Sequence, residues 1–424
     1  MNPSKSSIPP LAIIGALFFI FGFITWLNGS LIPFLKIACE LKYSEALLVA
    51  SAFYIAYVFL AIPSSYVLRA TGFKNGMALG LLVIAVGALV FIPAAQARSF
   101  SFFLVGLFIQ GTGLALLQTA SNPYVSILGP IESAAQRISI MGICSKVAGA
   151  LSPVILGAIV LEGASALEEK LAQNLSSAER TQILDQLSER VITPYIVMAI
   201  MLLVLAVMIK LSGLPEVKMN EEDKTGTLPT HANRSVFQFR NLTLGILAIF
   251  MCVGVEVIAG DTIGPYGSAQ GISLDISKFF TSLTLIAMLV GYSIGILTIP
   301  RYVSQQNALK ICAITGVVFT VGILLTQGFT SVLFVALLGL ANSLMWPAIF
   351  PLGIRGLGSF TELGSALLIM GIGGGAILPL LYGKLSEVMG VQHGYLILFP
   401  CYLYILFYAM NGYKVKNTPV IPSI

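Results

Sequence analysis

Three ionisable residues stand inside long apolar runs: Lys146, Glu256 and Asp261. An ionised group at the centre of a bilayer costs about 2.5–3.5 kcal/mol on insertion scales, so such residues face an interior, pair, or line water. The chemistry open to them is reversible protonation, binding of a small cation, or a grip on a polar ligand. A buried ion pair that only fixes packing is the other reading. Glu256 lies about 22 Å along its helix at 1.5 Å per residue, slightly past the mid-plane. Asp261 follows five residues later, about 140° around an ideal helix. The two carboxylates therefore share no face unless Gly260, Gly264 or Pro265 distorts the turn. Glu256 is the central candidate for ion coupling. Asp261 is expected to couple as well, as a gate or outer-cavity residue.

Neutral polar residues point to the same depth. Thr25, Asn28 and Gly29 fall at i, i+3 and i+4. Gln118 and Asn122 are at i and i+4, with Gln110 two turns before. Asn342 and Trp346 repeat the i, i+4 spacing and precede Pro347. Amides offer both donors and acceptors, which suits a polyhydroxylated ligand, and an indole offers a flat apolar plate for a sugar ring. Interhelical hydrogen bonds worth about 0.6 kcal/mol each are the plainer explanation of any one residue. Contributions from four helices at similar depth favour a polar cavity. The substrate-binding set is Asn28, Gln118, Asn122, Lys146, Glu256, Asn342 and Trp346.

Other chemistries lack residues. His231 and His393 are the two histidines, and the five cysteines are scattered without a C-x-x-C pair, so neither a metal site nor a disulfide framework is expected. Gly373, Gly374 and Gly375 are followed by no Lys-Ser/Thr, so no ATP loop is expected and transport would be secondary. No cofactor is expected beyond a coupling cation, H⁺ or Na⁺. An intramembrane enzyme would need a metal set or a Ser/His pair. A membrane sensor would need a signalling domain. A drug or organic-anion exporter would want Arg in the cavity, where Lys146 alone is available.

The elements that must position these residues follow from composition. The chain has 424 residues, 57% hydrophobic and 10% charged, with mean hydropathy +0.93. Soluble domains carry about 25% charged residues. This chain could not assemble a polar shell, and it is far too apolar for disorder. It reads as an all-α polytopic membrane protein. Twelve runs are long enough to span: near 10–36, 45–70, 76–97, 100–128, 135–161, 191–213, 241–267, 277–300, 307–327, 331–354, 362–386 and 392–413. They do not alternate, so a β-barrel is excluded. The first run is too long for a signal-peptide core and is read as a retained span.

A polar break at 214–240 is expected to be a cytoplasmic linker between a half at 1–213 and a half at 241–424. A second polar stretch, 162–190, is expected to be periplasmic and to carry a surface helix over Leu167–Val191. With both termini inside, 14 Lys/Arg fall on the cytoplasmic side and 8 outside, leaving Lys146 in a helix. Lys278 is among the eight. The net charge of +5 thus belongs to cytoplasmic loops and implies no nucleic acid.

The halves resemble each other. Pro123 and Pro347 are 224 residues apart in similar text, and "ESAAQRISIMGI" after the first matches "ELGSALLIMGI" after the second. Two parallel six-helix halves with a substrate site near the mid-plane are the major facilitator plan.

"FFIFGFITWLNGSLIPFLK", "LLQTASNPYVSILGP", "VGVEVIAGDTI" and "MWPAIFPLGIRGLG" resemble the fucose/glucose/galactose symporter family of the major facilitator superfamily. The likeness spans nearly the whole chain except the two polar loops. It is greatest to the glucose/galactose and N-acetylglucosamine branch of Gram-negative bacteria. The resemblance implies a monomeric, multi-pass protein of the bacterial inner membrane, with both termini cytoplasmic. It would take up a monosaccharide with H⁺ or Na⁺ by alternating access, as a transporter and not an enzyme. L-fucose or another sugar is the alternative substrate. The L-fucose permease carries carboxylates where this chain has Gly29 and Gln118. Ion coupling is therefore expected to have passed to Glu256, with Asp261 and Lys146.

Overall fold

Lipid offers no hydrogen bonds, so apolar backbone must satisfy itself within helices. The computed structural model describes residues 10–127, 134–173, 175–212, 236–299, 301–357 and 360–414. Twelve helical stretches are long and apolar enough to cross a membrane. They are α1 (Ala12–Ala38), α2 (Tyr43–Ser64), α3 (Ala70–Gln96), α4 (Phe100–Ser121), α5 (Ile140–Val160) and α6 (Ile192–Leu211). After the linker come α7 (Arg240–Asp261), α8 (Leu274–Thr298), α9 (Gln305–Leu325), α10 (Gly328–Ile354), α11 (Leu363–Met389) and α12 (Val391–Gly412). Each meets its expected run. Most of the predicted linker 214–240, residues 214–235, lies outside the described residues.

The outward faces are those of a protein solvated by hydrocarbon. Leu211 and Leu325 are each 79% exposed, and α6 presents Val197, Ile200, Met201, Val204, Val207 and Met208. In water such contiguous apolar surface would drive aggregation. Inside, α1 packs on α5 as α7 packs on α11, so the two halves repeat one arrangement. The halves meet through α2 against α11 and α5 against α8.

Local features follow the sequence closely. The basic turn around Arg69 and Lys74 is made at Gly72, whose φ of 76° breaks an otherwise continuous stretch from Leu48 to Gln96. Lys74 Nζ then donates to the Ser212 carbonyl at 2.6 Å, tying this turn to the end of α6. The single surface helix expected over Leu167–Val191 is instead two, Ala164–Leu171 and Ser177–Glu189. Ser176 causes the division. Its hydroxyl caps the second helix by accepting from the Glu179 backbone N–H, and Glu179 closes the box on the Ser176 N–H. That helix is held to the first half by Arg180 on Glu40 at 2.6 Å and Ser188 Oγ on the Ala95 carbonyl at 3.0 Å.

Three of the expected runs are interrupted, and of these the sequence allowed for a distortion only in the seventh, at Gly260, Gly264 or Pro265. α1 breaks at Trp26–Leu27, α7 at Thr262 and α10 at Ser343–Leu344. Proline accounts for two breaks, because its ring displaces the carbonyl four residues earlier. Pro265 acts on Asp261 and Pro347 on Ser343. In α1 the weak helix formers Asn28, Gly29 and Ser30 follow the break directly.

Glycine permits the closest helix crossings. A Cβ at Gly22 of α1 would collide with the Ser145 carbonyl of α5, whereas one at Gly15 on the same helix would meet no heavy atom nearer than 3.8 Å. Gly22→Ala should therefore lower the melting temperature of detergent-solubilised protein, and Gly15→Ala should leave it within a degree or two. Equal effects would show that this crossing is not set by backbone contact.

Candidate functional site

Lys146 comes from α5 and Glu256 from α7, so each half supplies one charge. Lys146 Nζ lies 2.5 Å from Glu256 Oε1, and the two side chains are 12% and 15% exposed. The choice of partner for Lys146, open in the sequence, is settled for Glu256. The ammonium also sits 4.8 Å from the centroid of the Trp26 indole. A cation over a desolvated indole gains about 2 kcal/mol. Trp26 is itself locked between the halves, because a Cβ at Gly149 of α5 or Gly260 of α7 would collide with its ring. Glycine at these two positions makes room for the indole, and the indole gives the ammonium a second face.

Asp261 goes elsewhere. It is fully buried, and the Asn28 amide lies beside its carboxyl. No side-chain oxygen or nitrogen of either residue closes a hydrogen bond. The two α7 carboxylates thus keep the separate faces that the ideal helix predicts, since the distortion begins only after Asp261.

The remaining amides divide. Gln118 is half-buried and donates to the Tyr57 hydroxyl at 3.0 Å. Asn342 is buried; its oxygen accepts from Tyr402 at 2.8 Å, while its nitrogen has no partner. Trp346 is half-buried and stacks on Phe350 at 5.7 Å. The break at Ser343–Leu344 puts Asn342 at the end of one helix and Trp346 in the first turn of the next, so they are no longer one turn apart on a continuous face. The same holds for Thr25 against Asn28 across the α1 break. Gln110 is buried against Gly87, and its amide nitrogen has no hydrogen-bond partner. The Asn122 side chain lies outside the described residues. Among the described residues no hydrogen bond joins Gln118, Asn342 or Trp346 to the charge pair.

Two tiers result. Thr25, Gln118, Lys146, Glu256 and Trp346 retain partial exposure, while Trp26, Asn28, Asp261 and Asn342 are sealed. Seals between the halves cluster toward the end where α1 turns into α2. Ser51 Oγ donates to the Ala376 carbonyl at 2.6 Å, and Ser282 Oγ to the Ala150 carbonyl at 2.6 Å. Lys278 Nζ donates to the Leu161 carbonyl at 2.9 Å. The charge count puts Lys278 on the outside, at the edge of the run 277–300. It is buried, because the Leu161 carbonyl just past the end of α5 and Asp275 at 3.4 Å satisfy its ammonium. Sequence reasoning also passed over Trp26, Tyr54, Tyr57 and Tyr292. Tyr54 and Tyr57 stand at i, i+3 on α2, a spacing that marks one face; Tyr54 and Tyr292 both lie within electrostatic reach of Glu256.

Removing one partner of a buried pair leaves an uncompensated charge, at about 3–5 kcal/mol. Lys146→Met and Glu256→Gln should each lower thermal stability, and the double variant should recover more than half the loss. Additive losses in this cycle would show that the pair contributes no coupling between the halves.

Residues 14–358 match the family model of the Major Facilitator Superfamily. The glucose/galactose transporter of Brucella abortus biovar 1 (strain 9-941) is 33% identical over 407 residues, covering 95% of this chain and 94% of that one. A putative glucose/galactose transporter of Helicobacter pylori (strain J99) is 30% identical over 415 residues, covering 96% and 97%. The crystal structure of the Escherichia coli fucose:proton symporter superposes with a TM-score of 0.72 at 26% identity, covering 96% of this chain and 98% of that one. The twelve spans, their repeated packing and these matches agree: the chain belongs to the Major Facilitator Superfamily.

Proposed function

We propose that the chain takes up a monosaccharide of the glucose/galactose class by cation symport across the bacterial inner membrane. The observation that carries this reading is the Lys146–Glu256 pair, which bridges the halves, retains partial exposure and stands beside Trp26. The names of the relatives support the substrate class. N-acetylglucosamine and L-fucose are the competing substrates; the fucose name belongs to two further relatives.

A sugar hydroxyl that approaches Glu256 competes with Lys146 for the carboxylate. Hydrogen bonds to a charged group are worth about 1.5–3 kcal/mol each, enough for two of them to offset one partner's loss. Releasing the pair loosens α5 from α7 and lets the half at 1–213 rock against the half at 241–424. On the Lys/Arg distribution both termini and the 214–240 linker are cytoplasmic and the 162–190 stretch is periplasmic. With that orientation, the seals at the α1–α2 end support reading this conformation as closed to the outside. The organic-anion reading is disfavoured because Lys146 is committed to Glu256. We further propose that Gln118 and Trp346 bind the ring in the accessible tier, that Asn122 and Asn342 join them as the halves move, and that one protomer suffices.

Radiolabelled uptake into proteoliposomes tests this. Glucose or galactose should accumulate above equilibrium when a pH or Na⁺ gradient is imposed, with N-acetylglucosamine and L-fucose weaker. Accumulation of none of the four would overturn the reading. Glu256→Gln should lower accumulation at least tenfold, and undiminished accumulation would remove Glu256 from the mechanism.

A further inference from the structure

We propose that Asn28 and Asp261 hold the coupling cation, a proton or a sodium ion, between the broken ends of α1 and α7, apart from the Lys146–Glu256 pair. The proposal rests on the symport reading and divides its labour: Glu256 answers to the sugar, Asp261 to the ion.

Position makes the case first. Asp261 is the last residue of the helical stretch Arg240–Asp261, and Asn28 is the first of the helical stretch Asn28–Ala38. A helix C-terminus carries partial negative charge, which adds to that of the carboxylate and favours a cation there. Half-helix C-termini of this kind, buried at an inter-repeat boundary, are where membrane carriers bind coupling ions; Asn28, at a helix N-terminus, contributes through its side-chain oxygen alone.

The neighbours make the case second. The hydroxyls around the break are already committed to main-chain carbonyls. Thr281 Oγ1 donates to Gly260 at 2.7 Å, Thr262 Oγ1 to Ile258 at 2.6 Å and Thr284 Oγ1 to Ala259 at 3.4 Å. The nearby ammonium, Lys146, is taken by Glu256. In this sealed space the Asp261 carboxylate has only the Asn28 amide beside it, and no short hydrogen bond closes at either side chain. Leaving such groups unpaired is costly, and a carboxylate most of all. A proton on Asp261 would give it a donor for the amide oxygen of Asn28. A sodium ion would be met by the carboxylate and that same oxygen. Among the described residues, the titratable groups that act electrostatically with Asp261 are Glu256 on its own helix and Tyr54 from α2, neither of which supplies positive charge. Trp26 covers the site against Gly260, the residue before Asp261.

Trp26 is also a reporter. The chain has two tryptophans, so in Trp346→Phe protein the emission comes from Trp26 alone. It is followed without sugar in two arms: NaCl against choline chloride at fixed pH and ionic strength, and pH in choline chloride. Saturable change in the first arm identifies sodium, and in the second a proton. Adding Asp261→Asn should abolish the response, and adding Asn28→Ala should move its midpoint at least fivefold. No response in either arm, or a response that survives Asp261→Asn, would overturn the proposal. If Asp261→Asn protein does not fold, an unshifted midpoint in Asn28→Ala overturns it equally. Because no sugar is present, an intact ion response beside failed hexose uptake would remove the substrate reading and leave the ion site standing.

Discussion

A charge in hydrocarbon must bring its own partner. This constraint organises the centre of the molecule. Lys146 and Glu256 come from different halves, so each half contains a charge that the other must satisfy. The pairing therefore stabilises the association of the halves and makes it conditional at the same time. A ligand that satisfies one charge weakens the tie. Apolar packing alone has no such condition, because lipid solvates an apolar face as well as a protein neighbour does.

Around the pair, small residues set the distances. Gly149 and Gly260 admit Trp26, and Gly22 admits the backbone of α5. Beyond this level the side-chain hydroxyls are turned to carbonyls across the seam, as at Ser51 and Ser282. The seam toward the α1–α2 end is thus closed by backbone acceptors and small donors. The exception is Lys278, whose ammonium must leave the Leu161 carbonyl when this end opens.

The spans were legible because lipid imposes one simple rule on length and composition. Lys146, Glu256 and Asp261 were legible for the same reason, as exceptions to it. The angular estimate for Glu256 and Asp261 held because α7 stays helical to Asp261. The estimates for Thr25 with Asn28 and for Asn342 with Trp346 did not, because both pairs straddle a break. Pro347 was visible, but the ideal-helix angle was applied across the carbonyl it displaces. The α1 break has no proline to announce it. Trp26 escaped notice because an indole in apolar text has no periodic signature; its importance comes from two glycines more than a hundred residues away in sequence. The burial of Lys278 escaped for a like reason, since a lysine at a span's edge reads as a loop residue until its acceptor, Leu161, is located.

The division of the polar 162–190 stretch has a practical consequence. Ser177–Glu189 is fastened to the first half through Glu40, Ala95 and Arg98, whereas Ala164–Leu171 rests on the turn Leu274–Ser277 of the second. The joint between them therefore straddles the moving boundary. An antibody fragment gripping only Ser177–Glu189 would ride with one half as a fiducial for its rotation. One bridging both short helices would clamp the carrier in a single pose, giving an inhibitor that need never enter the bilayer.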